Sequence, residues 1–177
     1  MKATGIVRRI DDLGRVVVPK EIRRTLRIRE GDPLEIFVAR EGEVILKKYS
    51  PINELSEFAD EYVQSLFEAV GQKILIADRD EFIATAGVSK KDYLNKNIGQ
   101  LIEKAMEDRE AVVEKNEYTL EIVDGIEEKV ASYLIQPIIS NGDPVGSVVL
   151  FSDKDSVTDV EIKLCQTAAS FLGRQME

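Results

Sequence analysis

The stretch that decides the fold is residues 5–29, which read GIVRRIDDLGRVVVPKEIRRTLRIR. β-branched and alternating residues predict strands, and the Asp-Asp-Leu-Gly run predicts a turn. Proline has no N–H for a strand ladder, but it is accepted in the first turn of a helix, so it predicts a change of structure here. These rules predict a strand over 5–10, a turn over 11–14, a strand over 15–18 and a helix over 20–27.

The rest of the first fifty residues completes a small, mostly β unit. Residues 34–38 alternate as a strand does, and Glu41-Gly42 joins them to a strand over 44–46 in a predicted hairpin. The run Val16-Val17-Val18 places apolar side chains on both faces of its strand, which a half-solvated hairpin would not tolerate. A unit this small, with no disulfide, is hard to stabilise alone. We therefore expect an intertwined homodimer.

Charge divides the chain into two parts. Residues 1–50 hold 12 Lys/Arg against 8 Asp/Glu, a net +4, whereas residues 51–177 hold 12 against 25, a net −13. Residues 1–29 alone carry 9 basic and 3 acidic side chains, a net +6. A basic segment of this kind is typical of a protein that binds a polyanion such as nucleic acid.

Four basic residues recur at helical spacing on the predicted helix: Lys20, Arg23, Arg24 and Arg27. At i, i+3, i+4 and i+7 they share one side, while Ile22 and Leu26 lie on the other. An alternative is that the arginines of the basic segment only solvate the surface and pair with Asp11, Asp12 and Glu21. The number of arginines in so short a segment favours the binding role.

The second part of the chain predicts a sheet flanked by helices. Its elements are a helix over 54–70 ended by Gly71, strands over 73–77 and 81–86, a helical region from 89 through 98 to about 113, strands over 118–123, 130–139 and 145–151, and a final helix from Thr158 with a Glu161 capping box. The apolar stripes of the first and last helices serve either a subunit interface or packing on their own sheet. We place the domain boundary between residues 52 and 53.

Several classes of function are excluded by composition. The chain has one cysteine and no histidine, which excludes Ser-His and Cys-His catalysis, disulfide frameworks, multi-cysteine metal sites and histidine-ligated metal. The longest uncharged apolar stretch, 145–151, is far shorter than the roughly 20 residues that a membrane span requires. We expect a cytoplasmic protein with no metal, no catalytic residues and no membrane partner, in which Cys165 is a small buried hydrophobe.

Residues 1–50 resemble the AbrB-type swapped-hairpin DNA-binding domain. The resemblance rests on MKATGIVRR (1–9), DLGRVVVP (12–19), EIRRTL (21–26) and LEI (34–36). It implies a β-barrel formed by interleaved hairpins of two chains and a surface for double-stranded DNA that includes Arg8, Arg15, Arg23 and Arg24. Arginine suits that role because its planar fork donates two parallel hydrogen bonds to phosphate or guanine. Lys2, Arg9, Lys20 and Arg27 are weaker DNA-binding candidates.

With its acidic second part, the entire chain resembles the stage V sporulation regulators of spore-forming bacteria, which carry a C-terminal GAF domain. The resemblance implies an α+β protein that activates and represses sporulation genes, with the GAF-like domain (53–177) sensing a signal or forming a homotetramer. GAF domains bind small molecules over their sheet, but no signature of cyclic nucleotide, haem or bilin binding is present here. We therefore expect no cofactor beyond an unidentified ligand.

Two alternatives remain open. MazE-type antitoxins share the swapped hairpin and bind DNA, but their C-terminal part is a short toxin-binding tail rather than a folded domain. A small-molecule sensor or enzyme that uses the first module only to dimerise is the other. GAF-like free-methionine sulfoxide reductases exist, yet they rely on several cysteines.

Overall fold

The computed structural model describes residues 5–40, 42–52 and 56–176. The chain divides into two compact units after Tyr49. This division lies three residues before the predicted boundary. Ile52 is fully buried in the hydrophobic core of the second unit, so this junction residue belongs with that unit.

The first unit contains one short helix and one hairpin: α1 (Lys20–Thr25), β1 (Leu34–Val38) and β2 (Val44–Lys48). The strands pair antiparallel with Ile36 opposite Leu46 and Val38 opposite Val44, as the alternation predicts. These four side chains share one face of the hairpin because directly opposed residues point to the same side. The predicted turn at 11–14 is also confirmed, with Gly14 at φ 77°.

The predicted strands over 5–10 and 15–18 are not strands in the structure, so this prediction is wrong for the single chain. A strand exists only where another strand takes its hydrogen bonds, and the turn bonds the two segments through Asp11 and Arg15. Among residues 5–40 and 42–49, Pro19 is the one buried residue. The exposed large apolar side chains of the unit are Ile6, Val7, Ile10, Leu13, Val16, Val17, Leu26, Ile36, Phe37, Val38, Val44, Leu46 and Tyr49.

The second unit has a five-stranded antiparallel sheet in the order β4-β3-β9-β8-β5. Its strands are β3 (Lys73–Ala77), β4 (Phe82–Ala86), β5 (Val112–Glu114), β8 (Ser132–Ser140) and β9 (Asp143–Ser152). A separate hairpin consists of β6 (Tyr118–Val123) and β7 (Ile126–Val130). The helices are α2 (Ser56–Val70), α3 (Lys90–Tyr93), α4 (Gln100–Asp108) and α5 (Asp159–Gln175).

Two hydrophobic cores lie on opposite faces of this sheet. Alternation along β3 separates them, because Ile74 and Ile76 join one core while Leu75 and Ala77 join the other. The first core packs the sheet against α2 and α5, and the second packs it against α3, α4 and the β6–β7 hairpin. With both faces covered, β4 is buried throughout and β3 is buried after Lys73, which explains their continuous apolar runs.

Most predicted elements of the second unit are confirmed, and two predictions are wrong. Strands β3 and β6 have the predicted bounds, and Gly71 ends α2 as expected, at φ 68°. The predicted helical region over 89–113 is two helices, α3 and α4, separated at 94–99, and it ends at Asp108 because Val112–Glu114 pairs with β8 instead. The predicted order of elements also lacks β7, because the charged residues at 127–129 interrupt the apolar alternation that predicts a strand.

Helix α5 begins with the predicted capping box. The Val160 N–H donates to the Thr158 hydroxyl at 3.3 Å, and the Glu161 carboxylate accepts from the Thr158 N–H at 2.9 Å. Near its other end, Gly173 is buried where the helix crosses β8. A Cβ at this position would overlap the backbone oxygen of Ile139. The glycine therefore allows the close approach of α5 to the sheet.

We predict that Gly173→Ala destabilises the full chain by about 1–3 kcal/mol, because the added methyl group overpacks this contact. Alanine is favoured over glycine in a helix by about 1 kcal/mol, so helix propensity predicts the opposite sign. Urea denaturation followed by circular dichroism measures the difference. Ser170→Ala, on an exposed position of the same helix, is the control and should change stability by less than about 0.5 kcal/mol. A Gly173→Ala variant as stable as the natural chain would contradict the prediction.

Candidate nucleic-acid interface

The turn at residues 11–14, within the basic segment, is closed by backbone hydrogen bonds. The Asp11 N–H donates to the Arg15 oxygen and the Gly14 N–H to the Asp11 oxygen, both at 3.0 Å. Gly14 adopts the left-handed conformation that a three-residue hairpin loop requires at its last position. Arg8 and Arg9 precede this turn and Arg15 leaves it, and all three are exposed.

The Asp11 side chain holds the turn from inside. Its Oδ1 accepts from the N–H groups of Leu13 (3.0 Å) and Arg15 (2.7 Å), and its Oδ2 accepts from Arg15 Nε at 2.8 Å. The Arg15 N–H and guanidinium together lower the pKa of the Asp11 carboxyl. One arginine of the candidate set is thus paired within the chain, as the surface-pairing alternative proposes, although the contact uses Nε only.

Helix α1 positions the next candidates directly after Pro19. Lys20 and Arg24 are exposed, whereas Arg23 is half-buried and its Nε lacks a hydrogen-bond partner. Arg23 and Arg24 lie in the last turn, where cations are favourable beside the helix dipole. The predicted basic face is therefore only partly exposed.

Arg27 ends this helix in a way that the sequence did not indicate. It adopts φ 51°, and its N–H donates to the Arg24 oxygen while the Ile28 N–H donates to the Arg23 oxygen at 2.7 Å. This pair of bonds is a Schellman motif, in which glycine is the usual left-handed residue. Lys48 Nζ donates to the Arg27 oxygen at 2.9 Å and ties the helix end to β2. The candidate Lys2 lies outside the described residues.

One face of the β1–β2 hairpin is an exposed apolar surface within the first unit. Ile36 is 66% exposed and Val38 79% exposed, beside their partners Leu46 and Val44. Burying such side chains is worth roughly 1.5–3 kcal/mol each. The unit therefore combines basic side chains with apolar surface that its own chain leaves in water.

The second unit has an exposed aromatic cluster, defined by Phe58, Tyr62 and Phe171. The ring centroids lie 6.1 Å apart for Phe58–Tyr62, 5.7 Å for Phe58–Phe171 and 5.6 Å for Tyr62–Phe171. Phe58 is 37% and Phe171 38% exposed. By contrast Ala59, Val63 and Leu66 enter the core, so the predicted stripe of α2 divides between its own sheet and the surface.

The sheet face that packs against α3 and α4 borders the second core. Two buried hydroxyls on it, Thr85 Oγ1 and Ser147 Oγ, have no hydrogen-bond partner. Tyr93 joins α3 to β7 by donating to the Glu128 carboxylate at 2.7 Å, and burial followed by this bond raises its pKa. These groups provide polar atoms, but no nucleophile and base in contact.

Cys165 fits the role predicted for it. It is buried among the residues of the first core, and burial raises the pKa of its thiol to about 12. A thiol with such a pKa is an inert core side chain at neutral pH. Within residues 5–40, 42–52 and 56–176 no His/Cys/Asp/Glu group is arranged to hold a metal ion. No helix in the same ranges has the length and apolar character needed to cross a membrane.

Comparisons with known proteins identify the family. A family profile described as "Stage V sporulation protein T C-terminal, transcription factor" matches residues 54–177. Stage V sporulation protein T of Bacillus subtilis (strain 168) is 61% identical over 177 residues, which cover 100% of this chain and 99% of that protein. The chain belongs to the stage V sporulation protein T family. It is a sporulation transcription factor, as the resemblance predicts.

The first unit matches a second group of regulators. The transition state regulatory protein AbrB of Bacillus subtilis is 48% identical over 77 residues, which cover 44% of this chain and 78% of that protein. The predicted AbrB relationship is confirmed. A profile for the MazE bacterial antitoxin also matches residues 7–54. The stage V sporulation protein T family thus joins an AbrB-type unit to its own C-terminal domain.

The second unit has the GAF fold, as predicted. The GAF domain of a phosphoenolpyruvate-protein phosphotransferase from Acinetobacter matches with a TM-score of 0.58 and 16% identity, over 69% of this chain and 81% of that one. A type II free methionine-R-sulfoxide reductase from Thermoplasma acidophilum matches with a TM-score of 0.54 and 18% identity, over 69% and 94%. At these identities the likeness concerns the fold alone.

Two features of the structure are not predicted by the sequence. The apolar pattern of α2 predicts a single stripe, although the i, i+4 spacing of Phe58 and Tyr62 marks a second face of this helix. The sequence predicts Asp11 as a turn residue and a charge partner, and nothing in its spacing shows that one carboxylate contacts both the loop backbone and Arg15.

Proposed function

We propose that this transcription factor binds double-stranded DNA sequence-selectively as a dimer of its first unit. Arg8, Arg15, Arg23 and Arg24 contact phosphates and guanine edges, and the weaker contributors are Lys2, Arg9, Lys20 and Arg27. The observation that carries the proposal is the exposure of basic side chains on a net +6 segment, in a unit related to AbrB. Arg15 supports it further, because Asp11 occupies its Nε and not its Nη groups.

The salt dependence of DNA binding tests this proposal. If three or four arginines per chain reach phosphates, a dimer should show a log-log slope of roughly −5 to −7, because each neutralised phosphate releases counterions. Arg24→Ala should flatten the slope by about one to two units, since the dimer loses two contacts. Fluorescence anisotropy of a labelled duplex across a series of salt concentrations gives the slope.

Arg40→Ala is the matched control for this experiment. Arg40 is exposed and carries the same charge, but it lies outside the basic segment and near the end of the β1–β2 hairpin. Its removal should leave the slope within about half a unit of the natural value. An affinity independent of salt, or equal slopes for the two variants, would refute the assignment of the basic segment to DNA.

We propose dimerisation through the first unit because its described residues bury almost no core. The apolar face of the β1–β2 hairpin and the extended segment 15–18 both expose side chains that a second copy would bury. Residues 7–10 and 16–18 lie in no strand of the single chain, and an intertwined partner strand would pair with their backbone. The partner is another copy of the same chain because hairpins of one kind are complementary to each other in a two-fold arrangement.

Val17→Asp tests the dimer in a fragment of residues 1–52. Val17 is 71% exposed in the single chain, so a monomeric unit would accept aspartate. In the dimer the change buries an unpaired carboxylate and should unfold the fragment. The natural fragment should show a melting temperature that rises with protein concentration. Sedimentation equilibrium and circular dichroism measure both effects.

Leu13→Asp is the control, because Leu13 is 70% exposed but lies in the turn, outside the extended segments. This variant should remain a folded dimer. A folded monomeric natural fragment would disprove the intertwined arrangement, and so would a Val17→Asp variant as stable as Leu13→Asp.

We further propose that the GAF unit makes a second, independent contact that gives a homotetramer. The aromatic cluster of Phe58, Tyr62 and Phe171 is the surface for it, since aromatic side chains provide large contact areas at subunit interfaces. Two different two-fold contacts in one chain whose axes cross at right angles close into a tetramer with two DNA-binding dimers. A ligand of the GAF unit that favours one arrangement would then change DNA binding.

Phe171→Glu should convert a fragment of residues 50–177 from dimer to monomer without unfolding it. The fragment begins at residue 50 because Ile52 belongs to its core. Leu66 is unsuitable for this test, since it is buried in that core. Val113→Glu is the control, because Val113 is 37% exposed on β5. Sedimentation velocity gives the masses, and a natural fragment that stays monomeric at high concentration would remove the second contact.

The remaining assignments follow from the role of a DNA-binding regulator. We propose a cytoplasmic location, activation and repression of sporulation genes, and no resident cofactor other than an unidentified GAF ligand. The antitoxin alternative is supported by the MazE match at residues 7–54, but the folded GAF unit occupies the place of a toxin-binding tail. The enzyme alternative is disfavoured by the inert Cys165 and the absence of histidine.

A further inference from the structure

A carboxylate lies in the middle of the basic segment, where it works against DNA binding on charge alone. Asp11 is separated from Arg8 and Arg15 by only three and four residues. A negative charge beside a phosphate-binding surface weakens association unless it has another effect. Its neighbour Asp12 carries the same charge and is also exposed. The contacts of the two carboxylates therefore decide whether they do the same thing.

The Asp11 carboxylate uses each oxygen for a different purpose. Oδ1 accepts the N–H groups of Leu13 and Arg15, at 3.0 and 2.7 Å, which fixes the carboxylate to the loop backbone. Oδ2 accepts from Arg15 Nε at 2.8 Å, which fixes the guanidinium to the carboxylate. The Arg15 side chain is 70% exposed, and its Nε is nevertheless held against its own turn.

The contact leaves the outer edge of the guanidinium available. Arginine donates through one edge that includes Nε and through the two Nη groups at its end, and the end-on pair matches the two acceptors of guanine or two phosphate oxygens. An arginine held at Nε loses less side-chain freedom when its Nη groups bind a ligand. Preorganisation of this kind strengthens binding although the holding group is negative.

We propose that Asp11 is a positioning residue for DNA recognition, which orients Arg15 through Nε so that its Nη groups meet the duplex. The inference rests on the proposed function, since it requires Arg15 to contact DNA. It predicts an effect opposite in sign to simple electrostatics: removing the negative charge of Asp11 weakens binding.

The test compares Asp11→Asn with Asp12→Asn in the full chain. Asparagine retains an oxygen for the Leu13 and Arg15 N–H groups, so the turn is kept while the ionic contact to Nε is lost. The probe is a duplex selected from a random library by the natural chain, with poly(dI-dC) as the non-specific DNA. Asp11→Asn should bind the selected duplex about tenfold more weakly, and Asp12→Asn should bind it as tightly as the natural chain or more tightly.

A double-mutant cycle with Arg15→Ala separates positioning from a purely structural role. Arg15→Ala should weaken binding about tenfold or more, as expected for a lost arginine contact. In the Arg15→Ala background, Asp11→Asn should have no further weakening effect, because the group that it positions is gone. If Asp11 only stabilises the turn, its replacement should weaken binding by the same factor in both backgrounds.

The outcomes distinguish the inference from the function on which it rests. Asp11→Asn that binds as tightly as Asp12→Asn, or equal effects in both backgrounds, would overturn the positioning role while leaving DNA binding by Arg15 intact. An Arg15→Ala variant with natural affinity would overturn both. Circular dichroism and the melting temperature are measured for every variant to show that it is folded. A tenfold weakening by Asp11→Asn that occurs only when Arg15 is present would support the inference.

Discussion

The structure depends on a constraint in its first fifty residues, whose described part leaves most of its large apolar side chains in water. Pro19 is the one buried residue in the described part of that unit, and its apolar side chains lie in water on the hairpin face and along the extended segments. Such exposure is far outside what a stable monomer carries. The second copy that we propose would bury these side chains, and its two-fold arrangement would also duplicate the basic surface.

The second unit shows the opposite balance. Both faces of its sheet are covered, and α5 approaches the sheet so closely that a Cβ at position 173 would overlap the backbone of β8. The aromatic cluster of α2 and α5 lies outside this core, and it is the surface at which we propose the second subunit contact. One chain thus combines a unit whose described residues bury almost no core with a unit whose sheet is covered on both faces.

Local hydrogen bonds fix the backbone conformation of the basic segment. The Asp11 carboxylate, the left-handed Gly14 and the Schellman motif at Arg27 each fix a backbone position from which a candidate arginine extends. An arginine on a defined turn or helix end reads DNA with less loss of conformational entropy than one on a free strand. The negative charges within the segment are therefore compatible with a role in DNA recognition.

The sequence by itself determined the elements whose signals are local: the turn before Arg15, the hairpin at 34–48, the helix ended by Gly71, the capping box of α5 and the basic character of the first unit. These follow from propensity, spacing and charge, which neighbours in the chain decide. The tertiary structure alone decided that 112–114 pairs with β8 and that 127–129 forms a hairpin strand, because strand pairing depends on residues distant in sequence. It also decided which residues of the α2 stripe enter the core, and that Asp11 contacts Arg15 through Nε, since side-chain direction is set by packing and hydrogen bonds that spacing does not encode.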